Sequence, residues 1–352
     1  MPIKRGVFIG INYVGQSSKL NGCYNDAIAL LKFVEKTCGI DEAILLTDEK
    51  QGYELPTKKN IIRAIQWLVK DAKKDDCLIF TYSGHGSQTM CPDDLYETDG
   101  VDETIVPLDY QKEGQISDCV LRYHLVNFLP AGVKLTCVFD SCFSSSVLDI
   151  KYNLVADVTT PPIANVPYAP NDSNLSPTII SKLNKLPEVY FEDCGYSESN
   201  ADVCCISGCM DTQTSADAMI DWKSSGAMTW SLLTTLNNTE NITYVDLIQH
   251  MRSLLKGKYT QIPQMHFSKN INPNDIFSIA TPTTYVEAST GVTMPKEAIM
   301  YEKISRGLKT ADSGKIIIKH IKHLKQIKQL NLKKLTKYIP LIDYIPWINK
   351  WV

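Results

Sequence analysis

No apolar run in this chain of 352 residues approaches the roughly 20 residues that a membrane-spanning helix needs. No secretory leader is expected, because Met1-Pro2-Ile3-Lys4-Arg5 runs straight into the strand-like Val7-Phe8-Ile9-Gly10-Ile11. No internal repeat is visible. The charge is nearly balanced, at a formal −3. The 11 cysteines, with no sign of secretion, point to a reducing compartment and a cytoplasmic location rather than to a disulfide framework. Cys194, Cys204, Cys205 and Cys209 lie close in sequence but lack the spacing of a zinc knuckle, and are expected in the core. What remains is an ordinary globular composition, 44% hydrophobic and 21% charged, long enough for one large or two ordinary domains.

The charge is unevenly placed. Residues 281–352 hold 13 Lys+Arg against 5 Asp+Glu, so the preceding body is acidic. An acidic body argues against general nucleic-acid binding and fits a pocket for cationic side chains. Strand-like runs alternate with helix-period segments through the first 150 residues, which predicts a mostly parallel sheet covered by helices. Helices are expected over Asn25–Lys36 and Lys59–Ala72, with a strand over Ala43–Thr47 between them. Residues 156–200 are rich in Pro, Asn and Ser and read as a linker or surface excursion. A strand follows at Val203–Ser207, then helices at Ala227–Leu236 and Tyr244–Leu255.

Two short segments carry the chemistry. Ser83-Gly84-His85-Gly86 follows the apolar run Cys77–Tyr82, and Asp140-Ser141-Cys142 follows Val133–Phe139. A His and a Cys at the carboxyl edges of buried strands face the crevice where open α/β sheets place their ligands. A thiol becomes a strong nucleophile when a neighbour takes its proton, and imidazole has a pKa suited to that task. Either residue alone is more often structural. The flanking glycines strengthen the pair: they let the backbone turn sharply and let a carbonyl oxygen approach the Gly86 amide. That amide and the amide of Cys142 form the donor pair that an acyl-transfer oxyanion needs. The expectation is a cysteine hydrolase with Cys142 as nucleophile and His85 as proton carrier.

Tyr82-Ser83-Gly84-His85-Gly86-Ser87-Gln88, then Asp99–Asp109, then Asp140-Ser141-Cys142 resemble the large catalytic part of a type I metacaspase. Ile206–Ala218 resembles the start of its small part, and the likeness runs in ordered blocks over roughly residues 3–280. True caspases differ around the nucleophile and lack the acidic residue matching Asp140. The resemblance implies a caspase–haemoglobinase sandwich, a three-layer α/β fold whose mostly parallel sheet carries helices on both faces. Its expected parts are a large part over residues 1–155, the excursion over 156–200, a small part over 201–285 completing the same sheet, and a basic extension over 286–352.

It further implies an endopeptidase that cleaves after Arg or Lys. Positions matching Cys23, Asp26, Ser83 and Asp140 line the family's pocket for the residue before the scissile bond. Buried carboxylates there select a cation, since a neutral side chain leaves them unpaired. On their own, Asp26 also reads as charge compensation at a helix start and Asp140 as a loop cap. Asp93, Asp94, Glu97, Asp99, Asp102 and Glu103 crowd one segment that, taken alone, reads as a solvated loop without EF-hand spacing. Type I metacaspases bind an activating Ca²⁺ through carboxylates matching Asp102, Asp118 and Asp149. A fourth such position is Cys119 here, which predicts a weaker site because thiols are poor ligands for a hard cation. Phe143 and Ser145 also depart from the family's usual His and Gly after the nucleophile.

In residues 313–352, lysines at 315, 319, 322, 325 and 328 interleave with apolar residues, and the segment ends in Trp347 and Trp351. This pattern suits docking on an anionic membrane surface or on the chain's own acidic body. The sequence thus predicts a monomeric, Ca²⁺-stimulated cysteine endopeptidase acting on protein substrates. The competing reading is a catalytically weak or inactive caspase-like scaffold.

Overall fold

The computed structural model describes residues 2–90, 101–142, 148, 150, 152–154, 199–208, 217–220 and 223–281, all within one compact unit. Residues 156–198 of the excursion over 156–200 and the whole basic extension over 286–352 lie outside the described residues, as do Phe143 and Ser145. The centre is a seven-stranded sheet. Its strands are β1 (Lys4–Gly10), β2 (Glu42–Thr47), β3 (Cys77–Ser83), β7 (Lys134–Asp140), β8 (Tyr152–Asn153), β9 (Asp202–Ser207) and β12 (Gln264–Phe267), in the order β2-β1-β3-β7-β9-β12-β8. The first five in that order run parallel, and β12 and β8 are antiparallel additions. β3 and β7 are buried at every position, which explains why their sequences are near-continuous apolar runs rather than alternating ones.

Alternate residues of each strand feed two cores. Val7, Ile9, Leu78, Phe80, Tyr82, Leu135, Cys137 and Phe139 pack on one face against α2 (Lys58–Val69) and α4 (Asp118–Leu125). Phe8, Ile79, Val138, Cys204 and Ile206 pack on the other against α1 (Cys23–Cys38), α5 (Ala227–Asn238) and α6 (Tyr244–Leu255). The period of two that a pleated strand imposes therefore produces helices on both faces, as the fold expectation requires. Burying these two cores is the main favourable term in folding.

The differences from the predicted elements have local causes. α1 starts two residues before Asn25 because the side-chain oxygen of Asn12 accepts the Cys23 N–H (3.0 Å) and satisfies a helix-start donor from outside the helix. α2 is capped by Thr57 Oγ1, which accepts from the Asn60 N–H (3.3 Å), but it stops at Val69. Lys70 turns extended there and Asp71 takes a left-handed φ of 55°. Periodicity missed a small antiparallel sheet of β4 (Gly86–Met90), β5 (Val101–Ile105) and β6 (Ile116–Ser117), in the order β4-β5-β6. It also missed the hairpin of β10 (Asp217–Ile220) and β11 (Lys223–Gly226) that leads into α5. The short helix α3 (Tyr110–Glu113) completes the connection between β5 and β6.

Candidate active site

β3 and β7 are adjacent and parallel, and their last rung pairs Ser83 with Asp140. His85 and Cys142 each lie two residues beyond that rung, so the sheet register delivers both to the same level of its carboxyl edge. The two loops touch through backbone. A Cβ on Gly86 would fall 2.9 Å from the carbonyl carbon and 3.2 Å from the nitrogen of Cys142, with the carbonyl oxygen closer still. Neither Gly84 nor Gly86 has a left-handed φ. The glycines supply space at this close approach. At Gly84 the space is taken by two phenols, since a Cβ there would lie 2.7 Å from Tyr82 Oη and 3.2 Å from Tyr13 Oη.

His85 is held on several sides. Its N–H donates to Tyr13 Oη (3.0 Å), and its carbonyl accepts from Tyr82 Oη (2.7 Å). Its ring lies against that of Tyr13, with centroids 4.6 Å apart. Its Nε2 is 2.7 Å from the Ser18 carbonyl oxygen. A carbonyl only accepts, so Nε2 carries the proton and Nδ1 is left as the basic nitrogen. The His85 carbonyl also accepts from the Val106 N–H (3.2 Å). That bond flanks the Gly86–Ile105 rung of the β4–β5 ladder, which makes it a non-hydrogen-bonded pair and leaves the Gly86 N–H out of the ladder.

Cys142 is half-buried, whereas Cys23, Cys77, Cys119, Cys137, Cys204 and Cys205 are buried. Burial pushes the Cys77 and Cys204 thiols up to about 12 and raises those of Cys137 and Cys205 as well. These four are inert core residues. Cys38 is half-buried and its thiol is likewise raised by burial. Among the described residues, Cys142 is thus the solvent-accessible thiol at the sheet's carboxyl edge.

The predicted pocket residues are brought together around the start of α5. Asp26 is 1% and Asp140 4% exposed. Asp26 accepts from the Gly226 N–H (3.0 and 2.9 Å) and from Ser225 Oγ (2.5 Å), and Asp140 Oδ2 accepts from the Thr229 N–H (2.8 Å). A Cβ on Gly226 would lie 2.6 Å from Asp140 Cγ and 2.9 Å from Asp26 Oδ2. Laid end to end, those distances put the two carboxylates within about 5.5 Å of each other. Both acids sit where the amino-terminal dipole of α5 favours negative charge. Ser83 is buried beside Asp140 on the shared rung, and Cys23 lies one helical turn before Asp26. The expectation that Asp26 compensates its own helix is half the account, because it also anchors the start of a helix 200 residues away.

The predicted metal residues are partly assembled. Asp102 on β5 and Asp118 at the start of α4 are buried, and ligand atoms from these two and Cys119 all lie within 4.8 Å of one another. Cys119 Sγ is 3.9 Å from Asp102 Oδ2. Asp118 accepts from the Glu103 N–H (3.0 Å) and the Cys119 N–H (2.5 Å), so it also ties α4 to β5. Asp149 lies outside the described residues, as do Asp93, Asp94, Glu97 and Asp99. Asp102 and Glu103, read from sequence as loop residues, stand instead on a buried strand. The donor set fits Ca²⁺ in part: two hard oxygens suit it, while the third donor is a soft thiol where the ion prefers six to eight oxygens.

Sequence reasoning missed Tyr13, Tyr82, Ser18 and Asn12. Asn12 binds the loop after β1 into place through Asp48 (2.8 Å), Glu49 (3.0 Å) and the Cys23 N–H (3.0 Å). A buried Asn-Tyr pair directly after a strand was the available signal.

A mostly parallel sheet with helices on both faces and a His–Cys pair over adjacent strand ends defines a caspase-like α/β protein. The family model described as "Metacaspase, peptidase C14 domain" matches residues 4–151. Metacaspase-1 of Debaryomyces hansenii is 40% identical over 295 residues, covering 78% of this chain and 66% of that protein. Metacaspase-1 of Meyerozyma guilliermondii is 39% identical over 293 residues, covering 78% and 70%. The chain belongs to the metacaspase family. It spans about two thirds of the length of these relatives. A crystallised protein from Geobacter sulfurreducens shares the fold, with a TM-score of 0.53 at 23% identity, over 80% of this chain and 100% of its own.

Proposed function

We propose that the protein is a cysteine endopeptidase that hydrolyses peptide bonds after Arg or Lys. The observation that carries this is the shared rung, Ser83 with Asp140, which sets His85 and Cys142 at one level on adjacent strands. With Nε2 protonated toward Ser18, the His85 Nδ1 takes the proton of Cys142 and the thiolate attacks the scissile carbonyl. The N–H groups of Gly86 and Cys142 donate to the resulting oxyanion, each contributing about 100- to 1000-fold in rate by analogy with other acyl-transfer sites. The imidazolium then protonates the leaving amine. Water, deprotonated by the same imidazole, hydrolyses the thioester and frees the thiol.

The paired carboxylates of Asp26 and Asp140 support the choice of a basic side chain. Two buried anions this close favour a cation between them, and a guanidinium can bridge both. Cys23 and Ser83 form the neighbouring wall. We further propose that Ca²⁺ stimulates the enzyme through Asp102, Asp118 and Asp149, and that Cys119 weakens its binding. Bound there, the ion would neutralise the buried carboxylates of Asp102 and Asp118 and would take no part in bond making. The 11 cysteines of the chain are the basis for proposing a reducing, cytoplasmic setting.

The test is hydrolysis of Arg-, Lys- and Asp-terminated fluorogenic peptides in chelator and in millimolar Ca²⁺, with Cys142→Ala as control. Cys142-dependent cleavage of the Arg and Lys peptides is expected, reduced at least tenfold in Asp26→Ala or Asp140→Ala. Absence of Cys142-dependent turnover overturns the enzymatic reading in favour of a scaffold. Preference for the Asp peptide overturns the pocket assignment.

A further inference from the structure

We infer that Tyr13, together with Tyr82, is a positioning residue that fixes the peptide groups of His85 and so the direction of its imidazole; this rests on the dyad reading above. The two phenols form a crossed pair. Tyr13 Oη accepts from the His85 N–H (3.0 Å) and donates to the Val106 carbonyl (2.7 Å). Tyr82 Oη accepts from the Val106 N–H (3.1 Å) and donates to the His85 carbonyl (2.7 Å). By its shortest contact each hydroxyl gives its proton to one residue's carbonyl and receives the other residue's amide, the Val106 N–H being shared with the His85 carbonyl (3.2 Å) and Tyr82 Oη lying also 3.2 Å from the Val106 carbonyl. The two phenol oxygens lie 3.2 Å apart. Both peptide groups of His85 are thereby clamped, although the residue sits between two glycines.

Three further observations converge. Tyr13 is fully buried yet carries a left-handed φ of 51°, an unfavourable state for a bulky residue that persists only where its surroundings enforce it. Gly84 is a glycine because a side chain there would meet both phenols. The Tyr13 ring also covers the imidazole, and Ser18, in the same loop, holds Nε2. One loop therefore fixes the backbone, the ring plane and the tautomer of His85. Burial raises both phenol pKa values, and the Tyr82 charge opposes ionisation of Tyr13 as well, so the hydroxyls stay donors across the working range of the dyad.

Tyr13→Phe removes the hydroxyl and keeps the ring. The expected result is kcat down at least tenfold with KM within about twofold, since the substrate contacts are untouched. The pH profile of Cys142 alkylation by iodoacetamide is expected to move upward by at least half a unit, because a misdirected imidazole stabilises the thiolate less. Tyr82→Phe is expected to do the same, with the double variant little worse than either single one. Unchanged kcat and an unchanged alkylation profile in a folded Tyr13→Phe protein overturn the inference.

A second measurement needs no variant at this position. In the wild-type protein labelled with ¹⁵N-histidine, and assigned by His85→Gln, His85 is expected as one Nε2–H tautomer. A predominant Nδ1–H tautomer, or a ring exchanging between tautomers, overturns the inference even if Tyr13→Phe does not fold. Because this reads the resting imidazole, it stands apart from turnover: no Cys142-dependent cleavage defeats the dyad reading, whereas a mobile His85 in an active enzyme defeats this one.

Discussion

Gly86→Ala tests how closely the two loops of the site must approach. The obstacle to a Cβ at this position is the Cys142 carbonyl, main chain that directly follows buried β7 and has no rotamer to yield. Restoring ordinary contact requires the loops to part by about 1.5 Å, and a misplacement of about 1 Å already costs about 100-fold when it separates reacting groups. Gly86 has no left-handed φ, so the substitution adds no backbone strain beyond the overlap. Overpacking of this kind destabilises by about 1–3 kcal/mol, which a domain of this size tolerates at a loss of roughly 2–12 °C in melting temperature. The assay is kcat/KM on an Arg-terminated peptide, beside the rate of Cys142 alkylation. The expected result is a fall of about 100-fold in kcat/KM and slower alkylation, in a protein whose circular dichroism is unchanged. A folded variant within about threefold of wild type in both refutes the contact and the positioning argument built on it.

Other consequences lie away from the dyad. Lys134 and Asp202 form a buried ion pair at 3.2 Å on neighbouring strands. Lys134→Met removes the cation paired with a buried carboxylate and is expected to cost about 3–5 kcal/mol by urea denaturation, while Lys134→Met with Asp202→Leu recovers most of it. Equal losses in the single and double variants contradict this. Burial pushes the His124 imidazole pKa below its ordinary value. The unfolded chain then binds more protons, so stability is fully present above about pH 6.5 and is lost as pH falls from there through the folded pKa. His124→Gln is expected to shrink the difference between urea midpoints at pH 8 and pH 5.5, and an unchanged difference refutes it. Cys119→Asp is expected to tighten Ca²⁺ binding at least tenfold by calorimetry, with Asp102→Asn abolishing it; Ca²⁺ binding that ignores both substitutions places the ion elsewhere.

The central strands were legible because both faces are buried, and a doubly buried strand has no choice but an apolar sequence. The placement of His85 and Cys142 was legible for the same reason, since a polar residue two positions past such a run stands out. The small sheet was not. β4 reads Gly-Ser-Gln-Thr-Met, a polar segment without alternation, and β5 carries Asp102 and Glu103, acids that resemble a solvated loop until Gln88 is seen to donate to the Glu103 carboxylate and the Glu103 N–H to Asp118. The linkage of Asp26 to Gly226 spans 200 residues, beyond the reach of any local pattern. Tyr13 was hidden differently: its left-handed backbone is imposed by tertiary contacts, and no propensity predicts that for tyrosine.

The site's glycines connect these two kinds of information. Gly84 admits the phenols that hold His85, Gly86 admits the carbonyl of Cys142, and Gly226 admits the carboxylates of Asp140 and Asp26. None of the three has a left-handed φ, so conformational freedom explains none of them. Each marks a point where main chain from one element must pass within contact distance of a functional group carried by another. Short approach of that kind is what lets backbone N–H groups act as donors to an oxyanion or to a buried carboxylate, because a Cβ would hold them too far away. In the proposed mechanism the glycines therefore matter as much as the Cys–His pair does. The sequence shows Gly84 and Gly86 together around His85, but Gly226 as an isolated residue, because the contacts that require it are formed only by the fold.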